Sequence, residues 1–359
     1  MINQERLLDT FLHLVQIDNP SGQEAAMAQY VMTWLRGEGF EAQQDAKGNV
    51  LAQLPGQGAP LLLSGHLDSV APAVGKQGVV RDGVVYSAGP TVLGADDLAG
   101  VAAIMEAVRA VREAGRPYRA AEIVFSVEEE IGLRGAKALD WSMITAKEGV
   151  ALDLNGEVGG ICVAAPAQDT LRVTIHGKAA HAGVAPEQGI NAIRVAAEAI
   201  AAMPLGRIDA ETTANIGTIS GGAAKNIVPD RVELLGEARS RNAGKLAAQV
   251  DQMRQAFEAA AQRHGASVDV VVTHEYGVQL IDPEAPIVQL CQAAARQAGL
   301  TPTLIETGGG SDVNIYTMHG ISAVNLSVGY RDIHSTDEHI AVESIVKTAR
   351  LVAALLQII

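Results

Sequence analysis

Apolar residues in the first third of the chain recur with two different periods, and the switches between them outline alternating helices and strands. Leu7, Leu8, Phe11, Leu12 and Val15 fall on one face of a helix over 4–16. Ser21 followed by Glu24 reads as a capping box that opens a second helix to about residue 36. Short apolar runs at 50–54, 61–64, 122–127 and 149–152 have the length of buried strands. Between them, 98–111 is an amphipathic helix with Val101, Met105 and Val108 on one face. Buried strands alternating with helices predict an α/β layer structure with a mostly parallel sheet.

The pattern changes near Ala164-Ala165-Pro166. From there it reads strand 171–176, helix 190–203, strands 214–220 and 231–237, helix 245–264 and strand 267–274. That is a βαββαβ unit, a small domain of ferredoxin-like type. After Asp282-Pro283 the α/β pattern resumes, with helices at 287–298 and 342–358 and short strands at 303–306 and 323–326. The expected organisation is therefore a discontinuous domain, 1–165 plus 279–359, interrupted by an inserted domain, 166–278.

The length of 359 residues suits two domains at roughly 100–200 residues each. Apolar residues make up 48% and aromatics only 3%, so small aliphatic side chains build the core. A net charge of −14 argues against nucleic acid as a partner and against a polybasic membrane contact. The N-terminus lacks a basic segment followed by an apolar stretch, and no apolar run approaches the ~20 residues of a membrane span. Two widely spaced cysteines, Cys162 and Cys291, offer neither a disulfide framework nor a thiolate metal site. The expectation is a soluble cytoplasmic protein whose metal, if it has one, is held by oxygen and imidazole nitrogen.

Four clusters of acidic or histidine residues sit where apolar strands run out: Gly65-His66-Leu67-Asp68, Gly94-Ala95-Asp96-Asp97, Glu128-Glu129-Glu130 and Leu152-Asp153. A fifth, His334-Ser335-Thr336-Asp337-Glu338-His339, lies nearly two hundred residues later. Each has an ordinary explanation in isolation. His66 can be a loop histidine, Asp96-Asp97 an N-cap pair, Glu128-Glu129-Glu130 a solvated turn, Asp153 a turn residue and His334 a surface residue. Together they look like a metal site at one edge of a sheet. Asp68, two residues beyond His66, can accept the ring's second N–H and fix its tautomer. Adjacent glutamates let one bind metal while the other serves as general base. Two histidines and three carboxylates suit a pair of ions such as zinc, one carboxylate bridging. Two such ions ~3.5–4 Å apart can polarise a carbonyl and lower the pKa of a water.

At these residues the chain resembles the dinuclear zinc metallopeptidase family of peptidase T, carboxypeptidase G, succinyl-diaminopimelate desuccinylase and aminoacylase, and is most similar to its peptidase T-like members. The segments that carry the resemblance are Ser64-Gly65-His66-Leu67-Asp68-Ser69-Val70, Leu93-Gly94-Ala95-Asp96-Asp97-Leu98-Ala99-Gly100, Glu129-Glu130-Ile131-Gly132, Asp153 and His334-Ser335-Thr336-Asp337-Glu338. In the insertion they are Gly177-Lys178-Ala179-Ala180-His181-Ala182-Gly183, Gly221-Gly222, Asn226-Ile227-Val228-Pro229 and Glu237-Ala238-Arg239-Ser240. The resemblance implies that His66 and Asp153 bind one zinc, Glu130 and His334 the other, and that Asp96 bridges them. It implies Glu129 as general base and Asp68 as the residue that orients His66. It gives His181 and Asn226 a part in oxyanion or substrate binding, with His181 serving the partner subunit's site, and gives Arg239 a substrate carboxylate. The inserted domain would be both lid and dimerisation surface.

Two positions depart from that family. Leu98 stands where Lys is common, at a position with no metal role. The stretch Thr307-Gly308-Gly309-Gly310-Ser311-Asp312 lacks the Arg of the peptidase T segment, although glycines such as Gly309 remain suited to close backbone contact with an extended substrate. The expected function is a cytoplasmic, homodimeric, dinuclear zinc hydrolase, with cobalt or manganese as substitutes, that cleaves an amide bond in small peptides as a peptidase T-like di- or tripeptide aminopeptidase or carboxypeptidase. The alternatives are an aminoacylase or deacetylase of N-acyl amino acids and, less in keeping with the full ligand set, a non-catalytic dimeric binding protein.

Overall fold

The computed structural model describes residues 1–358; Ile359, the end of the expected discontinuous domain, lies outside them. The chain forms two compact units. The first comprises Met1–Val163, Ile281–Glu306 and Ser311–Ile359, and the second Ala164–Leu280 and Thr307–Gly310. The short loop Thr307–Gly310, left with the outer domain by the sequence pattern, joins the second unit. Thr307 N–H donates to Ala164 O (2.9 Å), and the Arg241 guanidinium donates to Thr307 O (3.3 Å).

In the first unit a mixed sheet runs in the order Glu41–Gln44, Val50–Leu54, Arg119–Ser126, Gln57–His66, Glu148–Leu154, Ser322–Ser327, Gly160–Ala165. The four strands from Arg119–Ser126 to Ser322–Ser327 are mutually parallel, and the flanking pairs are antiparallel. These strands are longer than their apolar runs. Arg119–Ser126, for example, includes the buried Glu122, whose carboxylate accepts from the Thr145 N–H and hydroxyl and the Ala146 N–H. A charge so fully hydrogen-bonded can remain inside a strand. Helix Ala95–Glu113 packs on the strands and on helix Val342–Gln357. Its first fourteen residues are all buried, so it is apolar nearly all round instead of along one stripe.

The expected capping box does not form. Helix Ala25–Gly37 follows Glu24 with no side-chain cap. The Ser21 hydroxyl donates to Asp68 Oδ2 (2.7 Å), and Glu24 Oε1 accepts from the N–H groups of Gly22 (2.7 Å) and Glu128 (3.1 Å). A buried carboxylate and a distant loop N–H draw these side chains away from the local cap. A second, four-stranded antiparallel sheet, Tyr330–Arg331, His339–Ala341, Val84–Ser87 and Gly78–Arg81, was not legible in the sequence because its strands have two to four residues.

The second unit has the expected βαββαβ order. Its antiparallel sheet runs Thr212–Gly221, Arg231–Ser240, Ala167–His176, Ser267–Tyr276, with the two-residue strand Gly206–Arg207 at one edge. Helices Ala192–Ala202 and Ala243–His264 cover one face, burying Leu171, Val173, Ile175, Val232 and Leu234. Among the described residues no helix is long and apolar enough to cross a membrane.

Candidate metal centre

The parallel strands of the first unit deliver their C-terminal ends to one edge of the sheet, where α/β folds commonly bind ligands. His66 is the last residue of Gln57–His66, and Asp153 is the penultimate residue of Glu148–Leu154. Glu129 and Glu130 lie in the turn after Arg119–Ser126. Asp96 is in the first turn of helix Ala95–Glu113 and is joined to Asp97 by a cis peptide. His334 lies in the loop between Tyr330–Arg331 and His339–Ala341.

These residues converge. His66 Nε2 is 3.1 Å from Asp96 Oδ1 and 3.6 Å from Asp153 Oδ1. His334 Nε2 is 3.6 Å from Asp96 Oδ2 and 3.0 Å from Glu130 Oε2. The Asp96 carboxylate thus turns one oxygen to each imidazole. His66, Asp96 and Glu130 each offer a ligand atom, all within 4.8 Å of one another. His66, Asp96 and Glu129 are buried, while His334 is half-exposed and leaves the centre open on its side.

Asp68 is the hub that holds the parts together. Its backbone oxygen lies 3.0 Å from His66 Nδ1, and its carboxylate is 3.5 Å from the same nitrogen. The same carboxylate accepts from the N–H groups of Glu129 (2.9 Å) and Glu130 (3.1 Å). One residue therefore fixes a ring and the turn that carries two candidate functional glutamates. The turn separates their roles. Glu128, with φ 52°, faces Lys47 in an ion pair, whereas Glu130 faces His334. His334 has φ 61°. Left-handed conformations of non-glycine residues tend to cluster at functional sites.

The electrostatics reflect crowded anions. Burial alone would lower the His66 imidazole, but bonds to Asp153, Asp68 and Asp96 outweigh it and hold the ring well above its usual value. Bonds to Asp96 and Glu130 raise His334 to about 10. Burial would raise Asp96, but His334 and His66 hold it below the usual carboxylate range. Burial pushes Asp153 up to about 7. Burial, reinforced by Asp153, pushes Glu129 well above the range. Asp97 lies behind Asp96, where Gly65 and Gly100 make room. A Cβ on Gly65 would come 2.5 Å from Asp97 Oδ2, and one on Gly100 would come 2.5 Å from Leu152 O.

The donor set fits divalent cations. Glu130 Oε1 and Asp97 Oδ1 are buried without a hydrogen-bond partner. Three carboxylates, Asp96, Asp153 and Glu130, face two imidazoles, all hard or borderline donors. Cations would satisfy the orphaned oxygen of Glu130 and relieve the repulsion.

Four residues to which the sequence pattern assigned no role support this centre. Asn325 brackets the Asp153 backbone, accepting its N–H (2.8 Å) and donating to its carbonyl (2.7 Å), and the Tyr330 hydroxyl is 3.3 Å from Asp153 Oδ1. Glu338 accepts from the N–H groups of Gly94 and Asp96. Asp312 accepts from the Ser126 hydroxyl and is raised to about 6 by burial. The usable signal was polarity within an apolar run, as for Asn325.

The remaining candidates lie on the second unit. His181 is exposed, and its Nδ1 accepts from the N–H groups of Gly183 and Val184 (both 3.2 Å). A backbone bridge joins it to Ile227, so His181 and Asn226 belong to one local structure, where Ala182 N–H donates to Asn226 O (3.0 Å). Arg239 pairs with Glu237 on its own strand (3.0 and 3.1 Å), and Gly309 N–H donates to Thr307 Oγ1 (3.2 Å).

Two family models match the chain: the M20-type peptidase dimerisation domain over residues 168–265, and peptidase family M28 over residues 49–161. The crystal structure of aminopeptidase PepT from Bacillus cereus ATCC 10987 is 45% identical, with a TM-score of 0.88, covering 99% of this chain and 98% of that one. A tripeptidase from Staphylococcus aureus subsp. aureus Mu50 is 38% identical, with a TM-score of 0.94, covering 100% and 99%. The protein YqjE of Bacillus subtilis (strain 168), described only as uncharacterized, is 44% identical over 99% of both chains.

Proposed function

The chain belongs to the peptidase T-like family of peptidases, hydrolases of peptide bonds, and from that membership we propose that it is a two-metal aminopeptidase of small peptides, tripeptides foremost. The observation that carries this reading is the Asp96 carboxylate, with one oxygen toward His66 and the other toward His334. It divides the centre into two half-sites: His66, Asp153 and one oxygen of Asp96; His334, Glu130 and the other oxygen. Zinc suits both sets, with cobalt and manganese as substitutes.

Bound there, such cations supply Lewis-acid polarisation of the scissile carbonyl and of the attacking water. The rest is done by the chain. Glu129, buried and with its carboxyl raised, takes the water's proton and passes it to the leaving amine. Asp68 keeps the His66 ring in register and fixes the Glu129 backbone. We assign His181 as a donor to the oxygen on which negative charge develops, acting from the partner protomer, and Asn226, Arg239 and Gly309 to substrate contact. The match to a peptidase dimerisation domain supports a homodimer formed through the second unit. We place its action in the cytoplasm.

Metal content measured alongside a panel of tripeptides, dipeptides and N-acetyl amino acids tests this reading. The expected result is two zinc equivalents per chain, with release of N-terminal residues from tripeptides fastest. Faster turnover of N-acetyl amino acids would make the protein a deacylase, and full hydrolysis by verified metal-free protein would overturn the mechanism.

A further inference from the structure

One cation is buried in the first unit away from the groups assigned so far. Lys76 is 1% exposed, a burial lysine rarely tolerates. Its hydrogen-bond partners are neutral: the ammonium donates to Asn19 Oδ1 and to Ser69 Oγ (3.4 Å). Both are locked to the loop that follows His66. Asn19 Nδ2 donates to Leu67 O (2.7 Å) and Ser69 Oγ (3.1 Å), and Ser69 N–H donates to Asn19 O (3.0 Å). On its other side the ammonium lies against Gly94, where a Cβ would come within 2.8 Å of Lys76 Nζ and 2.8 Å of Ser69 Oγ. Gly94 has φ 74°, and it begins the turn that carries Asp96. The same turn is also held by Glu338, 2% exposed, which accepts the N–H groups of Gly94 (2.7 Å) and Asp96 (2.9 Å). Lys76 is among the charges acting on Glu338, and Glu338 is the first charge acting on Lys76.

We propose that Lys76 is a positioning residue which, with Glu338, braces the Gly94–Asp96 turn against the loop after His66 and so holds the Asp96 carboxylate between the two half-sites. Asp96 can serve both sides only while its oxygens stay 3.1 Å and 3.6 Å from the two imidazoles. A turn free to shift toward one imidazole moves away from the other. Glu338 fixes the backbone of the turn through two N–H groups, and Lys76, wedged under Gly94, fixes its distance from the His66 loop.

The sign of a metal-affinity change tests this. Loss of a nearby positive charge alone would tighten binding of a divalent cation. Loss of a brace weakens it. Full-length wild-type, Lys76→Met, Lys76→Arg and Glu338→Gln proteins are stripped of metal and titrated with zinc against a chromogenic chelator, with circular dichroism as the check on folding. Lys76→Met and Glu338→Gln are expected to bind zinc at least about tenfold more weakly, the scale of lost outer contacts at metal centres. Their kcat on a tripeptide should fall while KM stays within about twofold, and Lys76→Arg should recover part of the zinc affinity. Folded Lys76→Met protein with equal or tighter zinc affinity would overturn the proposal, as would a change confined to KM. If Lys76→Met does not fold, the charge-conserving Glu338→Asp decides instead: it keeps the negative charge but shortens the reach to the Gly94 and Asp96 N–H groups, so unchanged zinc affinity in the folded variant overturns the proposal. The inference rests on the two-metal reading: wild-type protein that binds no zinc contradicts that reading, whereas normal zinc binding by wild type and variants alike contradicts the brace alone.

Discussion

The two units carry their candidate functional residues in opposite ways. In the first unit they are mostly buried and closely spaced, and Asp68 by itself accepts from Ser21, Glu129 and Glu130. In the second unit His181 and Asn226 are exposed on a loop, and Arg239 pairs with its strand neighbour Glu237. Burying a carboxylate is costly unless something compensates it, so the first unit's arrangement makes sense around bound cations. The second unit's residues carry no such cost.

That contrast is broken or sharpened by substitution. The largest effect is expected from Asp96→Ala, which removes a carboxylate that faces both imidazoles. Mass-spectrometric metal analysis should find neither ion retained after dialysis, and hydrolysis should drop to the level of the metal-free protein. Retention of both ions would mean the two half-sites do not depend on a shared carboxylate.

Glu129→Ala comes next. It should keep both metals and lose about 10²–10⁴-fold in kcat, the scale of general acid–base catalysis. If Glu129→Ala lost metal and Glu130→Ala kept it, the division of labour within the turn would be reversed.

In the second unit His181→Ala should lower kcat by about 10²–10³-fold, the scale of one oxyanion donor, while zinc affinity stays at the wild-type value. A loss of zinc affinity in this variant would erase the distinction between the units. Mixing His181→Ala with Asp96→Ala should restore some activity, because a hybrid dimer can combine intact metal ligands with an intact partner histidine. Demonstrably mixed dimers without recovery would confine His181 to its own subunit.

The same contrast explains what could be read from the chain beforehand. His66, Asp96, Glu130 and Asp153 stood out because charged residues at the ends of apolar runs are unusual, and spacing alone drew attention to them. The βαββαβ order was legible because its helices and strands differ in period. Ser21 and Glu24 misled because a local cap and a tertiary hydrogen bond use the same side-chain chemistry, and only the fold decides between them. Lys76 and Glu338 were invisible as a pair: 262 residues separate them, and a lysine in a polar loop reads as exposed. The short strands around His334 fell below the length at which alternation can be counted. On the second unit the roles of His181, Asn226 and Arg239 rested on family resemblance, since polar residues on a surface offer no contrast.

The smallest effect is a pH dependence that is strongest in the metal-free protein. Asp153 is raised from 3.8 to about 7, so the folded state binds more protons than the unfolded one across that window, and stability falls as pH rises through it. His334 is raised from 6.5 to about 10; its contribution is complete below the lower value and is lost toward the upper one. Both act in the same direction. Differential scanning calorimetry of stripped protein should give a lower midpoint near pH 9 than near pH 5. Zinc-loaded protein should show a weaker trend, because its ligands are already deprotonated. Equal slopes would mean these groups are not the ones the metal engages.

The central claim, that one carboxylate divides the centre into two half-sites, is tested most directly by anomalous diffraction at the zinc edge from crystals grown with zinc. The account predicts two peaks, one on the His66 and Asp153 side of Asp96 and one on the Glu130 and His334 side, about 3.5–4 Å apart as in other two-metal sites. A single peak, or two peaks that do not flank the Asp96 carboxylate, would contradict it.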